Sequence, residues 1–258
     1  MNETLSQQQA KDIARLRIKK YREAEGRMLL EGERLVTDVL QGGSHPELVV
    51  IEDDRFDREE ALRSLCASRG VPVLRAGARL MQKITDTRTP QGIAAVIGLP
   101  GTDPMEALEA ADPGLPLFAL HGVSDPGNLG TVLRTTEWFG GASLLLSADS
   151  VEPFNPKVVR ASMGSVLRLH IGIYREESWL SKAARLSGRT LAATVAQGGS
   201  EPGDLRGEML LAILGSEAHG LPSELLAQPS RHVTIPGSGT ESLNVAIAHA
   251  ILSYAWRT

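Results

Sequence analysis

The sequence contains one cysteine, Cys66, among 258 residues. A single cysteine excludes an internal disulfide, so we expect a chain of the reducing cytoplasm in which Cys66 is an ordinary core residue. No run of eighteen apolar residues occurs, which excludes a membrane-spanning helix. The first residues, MNETLSQQQAKD, lack the apolar stretch of a secretory signal, so export is not expected.

Several short motifs of nucleotide, hydrolase and metal chemistry are also absent. G-x-x-x-x-G-K-[ST] does not occur, which excludes a P-loop, and no G-x-G-x-x-G follows the first strand of either half. G-x-S-x-G, the nucleophile elbow, is missing. The six histidines are scattered with no H-x-x-x-H pair, and there is no C-x-x-C, so we expect no metal site.

The net charge of −4 conceals a local excess of cations. The segment KDIARLRIKKYREAEGR, residues 11–27, holds seven Lys or Arg residues against three acids and is predicted to form a basic helix. Such a helix is suited to phosphate contact. Charge alone leaves the alternative open, in which the cations form a solvated face and Ile13 and Leu16 point inward.

Apolar runs of strand length alternate with helical segments along the whole chain, which predicts an α/β protein. Turn residues bracket a short helix between positions 100 and 113, so we place a linker there. The predicted domains are therefore 1–99 and 114–258. In the second domain the short, fully apolar strands predict a parallel sheet.

Glycine-rich loops follow four of the predicted strands in the second domain: HGVSDPGNLG, VAQGGS, GSEAHGLP and GSGTESLN. Ligands of open α/β sheets bind beyond the carboxyl ends of the strands. Taken singly, each loop is also explained as an ordinary turn. Arg134 lies in an otherwise apolar helix and needs an anionic partner, either a ligand or a carboxylate such as Glu137 or Glu217. Asn128, six residues earlier, is expected to cap that helix.

Three stretches of the second domain resemble the signature motifs of the SpoU family of RNA ribose 2′-O-methyltransferases, in the SPOUT superfamily. Motif 1 is DPGNLGTVLRTTEWFG, motif 2 is LAILGSEAHGLPSELL and motif 3 is VTIPGSGTESLNVAIAHAILSYAW. NPKVVRASMGSVLRL resembles the family's segment between motifs 1 and 2. KKYREAEGRMLLEGERLV and DTRTPQGIAAV are similar to its small, ribosomal-protein-like α/β substrate-binding domain.

The resemblance implies a parallel-sheet SPOUT domain with a deep C-terminal trefoil knot. It also implies S-adenosylmethionine as the cofactor, cradled by backbone groups near the ends of the strands. The residues that the motifs assign to the cofactor are Thr194, Leu214, Gly215, Ile235 and Leu243.

The resemblance assigns the reaction centre to five residues: Arg134, Asn128, Glu217, Ser242 and Asn244. We expect Arg134 to stay charged, to grip a phosphate and to stabilise the developing alkoxide, rather than to act as a base. Ser242 and Asn244 are expected to cap the last helix, beginning near Ser242.

The resemblance further implies RNA contact by the basic helix, through Arg15, Arg17, Lys19 and Lys20. It implies a homodimer, for which the terminal helix with Trp256 and Tyr254 is a candidate interface, although simple burial also explains that helix. Motif 3 is one residue shorter than usual between Ile235 and Leu243, which weakens the assignment of individual contacts there.

The expected function is ribose 2′-O-methylation of large-subunit ribosomal RNA. Transfer RNA is the second candidate substrate. A non-catalytic RNA-binding relative and a small-molecule α/β enzyme are the alternatives from other classes, and the first would lack cofactor binding whereas the second would lack RNA affinity.

Overall fold

The computed structural model describes residues 3–42, 45–87, 89–216, 219–229, 231–238 and 242–257. The chain divides into two compact units, each with its own sheet. The first unit comprises Met1–Pro100 with Phe154–Arg160, and the second comprises Gly101–Pro153 with Ala161–Thr258.

The first unit is a mixed sheet covered by helices. Its strands are β1 (Glu3–Thr4), β2 (Arg27–Glu31), β3 (Leu48–Glu52), β4 (Val73–Ala76) and β5 (Ile93–Gly98). Its helices are α1 (Gln7–Arg15), α2 (Lys19–Glu25), α3 (Glu33–Gln41), α4 (Glu60–Ser68) and α5 (Ala78–Ile84). The strand order is β1-β4-β3-β5-β2, with β5 antiparallel to both of its neighbours. The apolar side chains of α1 and α5 pack against one face of this sheet.

The basic segment forms two helices, so the prediction of one continuous helix was wrong. Helix α1 ends at Arg15, and Ile18 is extended, with φ −102° and ψ 127°, before α2 begins at Lys19. The buried guanidinium of Arg22 donates to the carbonyl of Leu16 at 2.7 Å. This bond satisfies a carbonyl at the end of α1 and fixes the turn.

The second unit contains a six-stranded sheet in which every pairing is parallel. Its strands are β6 (Leu117–His121), β7 (Ser143–Ser147), β8 (His170–Tyr174), β9 (Thr190–Thr194), β10 (Leu210–Gly215) and β11 (Arg231–Val233). The order is β11-β9-β10-β6-β7-β8. Because helices cover both faces, the strand residues are almost all buried, which explains their uniformly apolar sequences. The prediction of an α/β fold with a parallel sheet is confirmed.

The helices of the second unit are α6 (Pro104–Glu109), α7 (Pro126–Trp138), α9 (Ser178–Ser187), α10 (Ser223–Leu226) and α11 (Val245–Trp256). Helix α8 (Pro156–Ala161) belongs to the first unit except for its last residue. Short 3-10 turns occur at Ser165–Leu167 and Pro202–Leu205. Helix α8 ends at Ala161, and Met163 and Gly164 just beyond it both adopt positive φ, which an α-helix does not allow.

The segment 100–113, predicted as a linker, is packed rather than free. Helix α6 lies on β8, where a Cβ on Gly172 would approach the Cα of Pro104 to 2.6 Å. The missing side chain therefore permits this close packing. Among the described residues, no helix is long and apolar enough to cross a membrane, and no group of acidic, histidine or cysteine side chains is arranged to hold a metal ion.

Candidate functional site

A cavity of about 480 Å³ lies at the carboxyl ends of β9 and β10, at the edge where parallel sheets bind ligands. Strand ends form one wall, the loop after β11 forms another, and the start of α11 closes it. Its volume is within the range of roughly 300–1,000 Å³ found for small-molecule sites. The lining residues are Thr194, Val195, Ala196, Leu214, Gly215, Ser216, Gly220, Val233, Ile235, Pro236, Gly237, Ser242, Leu243, Val245 and Ala248.

The shape of the cavity depends on close backbone approaches. A Cβ on Gly215 would lie 2.3 Å from the carbonyl of Gly220, so only glycine fits at the end of β10. The N–H of Gly220 donates to the carbonyl of Ser216 at 2.9 Å, which closes the loop between them. Gly199 is also tightly packed, since its Cβ would meet the backbone of Val233 at 2.7 Å.

Thr194 lines the cavity, and its hydroxyl already donates a hydrogen bond within the protein. Its Oγ1 donates to the carbonyl of Ile213 at 3.0 Å across the β9–β10 pair. Because that donor is used, the hydroxyl has only acceptor capacity left for a ligand. A group bound at this point of the wall should therefore be a hydrogen-bond donor.

Two asparagines from distant parts of the chain meet beside the cavity. Asn244 caps α11, with Oδ1 accepting from the N–H of Ala246 at 2.9 Å and of Ile247 at 3.3 Å. Its Nδ2 donates to Oδ1 of Asn128 at 2.9 Å. The residues on either side of Asn244, Leu243 and Val245, both line the cavity. Asn128 is thereby held next to the cavity's rim.

The cap of α7 differs from the prediction. Asp125, not Asn128, is the N-cap, and its carboxylate accepts from the N–H of Asn128 at 2.8 Å. Pro126 follows at the first helical position, where its missing N–H costs nothing. Asn128 thus lies inside the first turn, which leaves its side chain available for Asn244.

The loop that leads into α7 is anchored by hydrogen bonds to the neighbouring strands. Gly122 adopts φ +67°, and its N–H donates to Oγ of Ser147 at 2.9 Å. Nδ1 of His121 lies 3.1 Å from the hydroxyl of Tyr174. Burial raises the pKa of Tyr174 above its ordinary value, so this hydroxyl stays neutral and serves as a fixed donor and acceptor.

Arg134 is exposed on α7, and no hydrogen bond or ion pair joins it to another residue in the described part of the chain. Glu137 is not its partner, because that carboxylate forms a two-point ion pair with Arg168, which lowers the pKa of Glu137. The helix places Arg134 about 9 Å along its axis from Asn128 and about 120° around it, so the two side chains do not share a face.

The predicted site residues are distributed as follows. All five residues assigned to the cofactor line the cavity, and so does Ser242. Asn128 and Asn244 form the adjacent pair, whereas Ser242 is not the cap of α11. Glu217 lies outside the described residues. The sequence missed Val195, Ala196, Pro236 and Gly237, although their positions directly after β9 and β11 were a usable signal.

The four cations assigned to RNA differ in their surroundings. Arg17 donates to the carbonyls of Ala14 at 3.1 Å and Thr85 at 3.0 Å, so it is committed to the fold. Arg15 and Lys19 form long, exposed ion pairs of 3.9 Å and 3.7 Å with acids of their own helices. Lys20 is exposed, with no ion pair to any residue that the structure describes.

Trp256 and Tyr254 lie on opposite sides of the terminal helix. Trp256 is buried, stacks on Phe118, and donates from Nε1 to the carbonyl of Pro202 at 2.8 Å. Trp256 is a core residue, so of the two explanations left open for this helix, simple burial is the one that applies to Trp256. Tyr254 is exposed.

Both units resemble known proteins. Residues 116–254 match the SpoU rRNA Methylase family, and residues 7–95 match the MRM3-like substrate binding domain. The chain is 32% identical to the 23S rRNA (guanosine(2553)-2′-O)-methyltransferase RlmP of Bacillus subtilis, over 99% of this chain and 98% of that protein. An uncharacterised tRNA/rRNA methyltransferase of Synechocystis is 30% identical over 96% of this chain and 89% of its own length.

Solved structures give the same relationship. The AdoMet-bound rRNA methyltransferase from Sinorhizobium meliloti superposes with a TM-score of 0.84 at 29% identity, covering 99% of this chain and 96% of that one. A putative RNA methyltransferase of the TrmH family from Porphyromonas gingivalis gives 0.83 at 32% identity, covering 98% of both chains.

A parallel sheet with a ligand-sized cavity at its carboxyl edge defines an enzyme domain of the α/β class. The matches over both units identify the kind: the chain belongs to the SpoU rRNA methylase family, whose named relatives are rRNA 2′-O-methyltransferases.

Proposed function

We propose that this protein transfers a methyl group from S-adenosylmethionine to the 2′-hydroxyl of a ribose in large-subunit ribosomal RNA. The observation that carries the proposal is the Asn128–Asn244 pair at the rim of the cavity, because it joins motif 1 to motif 3 beside a site of cofactor size. The 32% identity to RlmP, a 23S rRNA methyltransferase, supports the choice of RNA.

The cavity suits the cofactor chemically. Leu214, Ile235 and Leu243 offer apolar surfaces for an adenine ring, and the exposed backbone at Gly215 and Gly237 offers hydrogen bonds without side chains in the way. Thr194 accepts from a ribose hydroxyl or an amine. When bound, the cofactor supplies a methyl group on a sulfonium sulfur, ready for in-line displacement.

The protein's own residues align the nucleophile and handle charge. Asn128, oriented by Asn244, lies where it can position the ribose, and alignment alone accounts for much of the rate in such displacements. By its motif we assign Arg134 to the phosphate next to that ribose and to the negative charge that develops as the 2′-hydroxyl loses its proton, although α7 places Arg134 on a different face from Asn128. Ser242 lies at the mouth of the cavity and Glu217 is assigned by its motif alone.

We further propose that the two units divide the work. Residues 1–99 bind RNA, through the cations at the α1–α2 turn, and residues 114–258 carry out methyl transfer. The match of residues 7–95 to a substrate binding domain supports this division.

We also propose that the second unit contains a trefoil knot and pairs with a second copy to form a homodimer. Strand β11 lies beside β9, while α11 returns to α7 and is fastened to the loop after β9 through Trp256 and Pro202. A threaded C-terminal segment accounts for this path, and a crystallographic trace of residues 231–257 tests it. Ile247, Ile251 and Tyr254 form an exposed stripe on α11, suited to pairing with a second copy.

Mapping of ribose methylation in total RNA, from cells with and without the gene, tests the function. We expect one 2′-O-methyl group in large-subunit ribosomal RNA to disappear with the gene and to be restored by the purified enzyme with S-adenosylmethionine. Loss of a methyl group from transfer RNA would move the substrate to the second candidate. Absence of any change, together with no calorimetric heat of cofactor binding, would indicate a non-catalytic RNA-binding protein.

A further inference from the structure

The turn between α1 and α2 carries an exposed apolar side chain among several exposed cationic residues. Ile18 is 55% exposed at the tip of this turn, although isoleucine is among the residues most often buried. Arg15, Lys19 and Lys20 surround it in the sequence and are all exposed. A solvated basic face has no need of an isoleucine at its tip.

The turn is rigid, because it is braced from within. Arg22 is buried beneath it and donates to the carbonyl of Leu16, while Arg17 donates to the carbonyls of Ala14 and Thr85. The N–H of Ile18 donates to the carbonyl of Arg15 at 2.9 Å. The tip is therefore preorganised, which lowers the entropic cost of binding a partner.

Next to Ile18, the guanidinium of Arg15 provides a flat surface suited to a nucleotide base. The guanidinium carbon of Arg15 is 5.4 Å from the ring centre of Tyr21, a cation–π contact, and the Arg15 side chain is still 44% exposed. Unstacked bases of RNA lie on arginine planes, and bases flipped out of a stack also pack against apolar side chains. Paired bases, in contrast, are stacked on each other and cannot reach such a surface.

The surrounding cations are free to meet phosphates. The ion pairs of Arg15 with Asp12 and of Lys19 with Glu23 are exposed and longer than 3.6 Å, so they contribute little and are easily exchanged. Each phosphate that replaces such a pair releases counterions and makes binding more sensitive to salt.

We propose that the α1–α2 turn binds an unpaired nucleotide of the substrate RNA, with its base against Ile18 and the Arg15 guanidinium and its flanking phosphates on Lys19 and Lys20. The inference rests on the proposed function for the identity of the partner as RNA. It goes further in selecting single-stranded over paired RNA and in giving the contact an apolar component.

Binding of two synthetic RNAs tests the proposal: a stem-loop with an unpaired loop, and a fully paired duplex of the same length. Affinities are measured by fluorescence anisotropy across a series of salt concentrations for the full-length protein. The variants are Ile18→Ser and Lys20→Gln. Leu186→Ser is the matched control, since Leu186 is 59% exposed on α9 of the other unit.

The two variants should fail in different ways. Ile18→Ser should weaken binding of the stem-loop by roughly 5-fold, leave the duplex unchanged and leave the salt dependence unchanged, because no charge is removed. Lys20→Gln should weaken both RNAs and reduce the slope of log affinity against log salt by about 0.7. Leu186→Ser should bind both RNAs as the wild type does.

Equal binding of the stem-loop by Ile18→Ser and wild type would overturn the proposal, as would equal losses for the stem-loop and the duplex in Ile18→Ser. Binding of the wild type to anionic phospholipid vesicles that is lost in Ile18→Ser, with RNA binding intact, would show instead that the turn meets a membrane surface. Methylation by the wild type is measured in parallel. Its absence counts against the proposed function, whereas the binding comparison judges the turn.

Discussion

Asn244 and Asn128 are 116 positions apart in the sequence, and their side-chain amides are joined by one hydrogen bond of 2.9 Å. Oδ1 of the same Asn244 side chain accepts hydrogen bonds from the N–H groups of Ala246 and Ile247 in the first turn of α11. One residue thus begins the terminal helix and orients motif 1, so the stability of α11 and the geometry of the rim depend on the same amide.

Replacing Asn244 should therefore affect stability and activity together. Asn244→Ala removes the cap of α11 and should lower the free energy of unfolding by about 1–2 kcal/mol. Methyl transfer should fall as well, because Asn128 loses its orienting donor. Urea unfolding and incorporation of labelled methyl groups into RNA measure the two effects.

Asn128→Ala is the matched comparison. It leaves the cap intact, so activity should fall with little loss of stability. If Asn244→Ala were as active as the wild type, the Asn128–Asn244 bond would have no part in the reaction.

Arg134 should matter to catalysis and not to folding. Arg134→Ala removes the charge that we propose stabilises the developing alkoxide, and we expect methyl transfer to fall by about 10²–10³-fold. The free energy of unfolding should change by less than about 0.5 kcal/mol, because the side chain is exposed. Arg185→Ala, an exposed arginine of α9, is the control and should keep full activity.

Arg134→Lys distinguishes the role of the charge from that of a base. A lysine keeps a positive charge but loses the planar fork, so we expect partial activity with a pH profile parallel to that of the wild type. Near-complete recovery at high pH in the lysine variant would favour proton abstraction by the residue at this position.

Gly215→Ala should disrupt the cavity. Its Cβ would lie 2.3 Å from the Gly220 carbonyl, so the loop between them must move. We expect the Kd for S-adenosylmethionine, measured by calorimetry, to rise by at least about 10-fold, since one displaced backbone hydrogen bond is worth about 1.4 kcal/mol. Gly203→Ala is the control because a Cβ there meets nothing within 4 Å, and it should bind normally.

His249 should make the second unit less stable in acid. The side chain is fully buried between α7 and α11, with Nε2 3.2 Å from Oγ1 of Thr136. Burial lowers its pKa from the ordinary 6.5 to about 3. The unfolded chain takes up a proton below about pH 6.5 and the folded chain does not, so the free energy of unfolding should fall as pH drops, by about 2 kcal/mol at pH 5.

Urea unfolding at pH 7.5 and pH 5 measures this effect. In His249→Phe the difference between the two pH values should shrink by that amount, even if the variant is less stable throughout. His170→Gln, which changes an exposed histidine, should retain the full difference. An unchanged difference in His249→Phe would contradict the assignment.

The exposed stripe of α11 should control the oligomeric state. Ile251→Glu places a charge in the middle of the stripe, and we expect the proposed homodimer to dissociate to monomers in light scattering. Leu186→Glu makes the same change at an exposed apolar residue of α9 and should remain dimeric. A wild type that is monomeric at micromolar concentration would end the proposal of a homodimer.

The sequence predicted the elements whose patterns are local. Apolar runs too short for helices identified the strands of the parallel sheet. Both faces of such a strand are buried, so its residues are apolar without the alternation of polar and apolar residues seen in a half-exposed strand. The resemblance of three motifs assigned Thr194, Leu214, Gly215, Ile235 and Leu243 to one ligand, and the structure places all five around one cavity. That they bind a cofactor stays a prediction.

Errors arose where a distant residue competed with a local pattern. The pattern of the basic segment predicts one helix, but the buried Arg22 and the extended backbone of Ile18 divide the segment into two helices. The sequence predicts that Asn128 caps α7, but Asp125 is the N-cap, and the side chain of Asn128 bonds instead to Asn244, far along the chain. For Trp256 the sequence left both an interface and simple burial open, and its N–H, which donates to Pro202 in the core, decides for burial.

By itself the sequence determined the α/β class, the parallel sheet and the family, because hydrophobic periodicity and short motifs are properties of neighbouring residues. Only the tertiary structure decided which side chains meet: Asn244 with Asn128, Trp256 with Pro202, and Gly215 against Gly220. Such contacts depend on how strands and helices distant in the chain pack together, and no local pattern of residues specifies that packing.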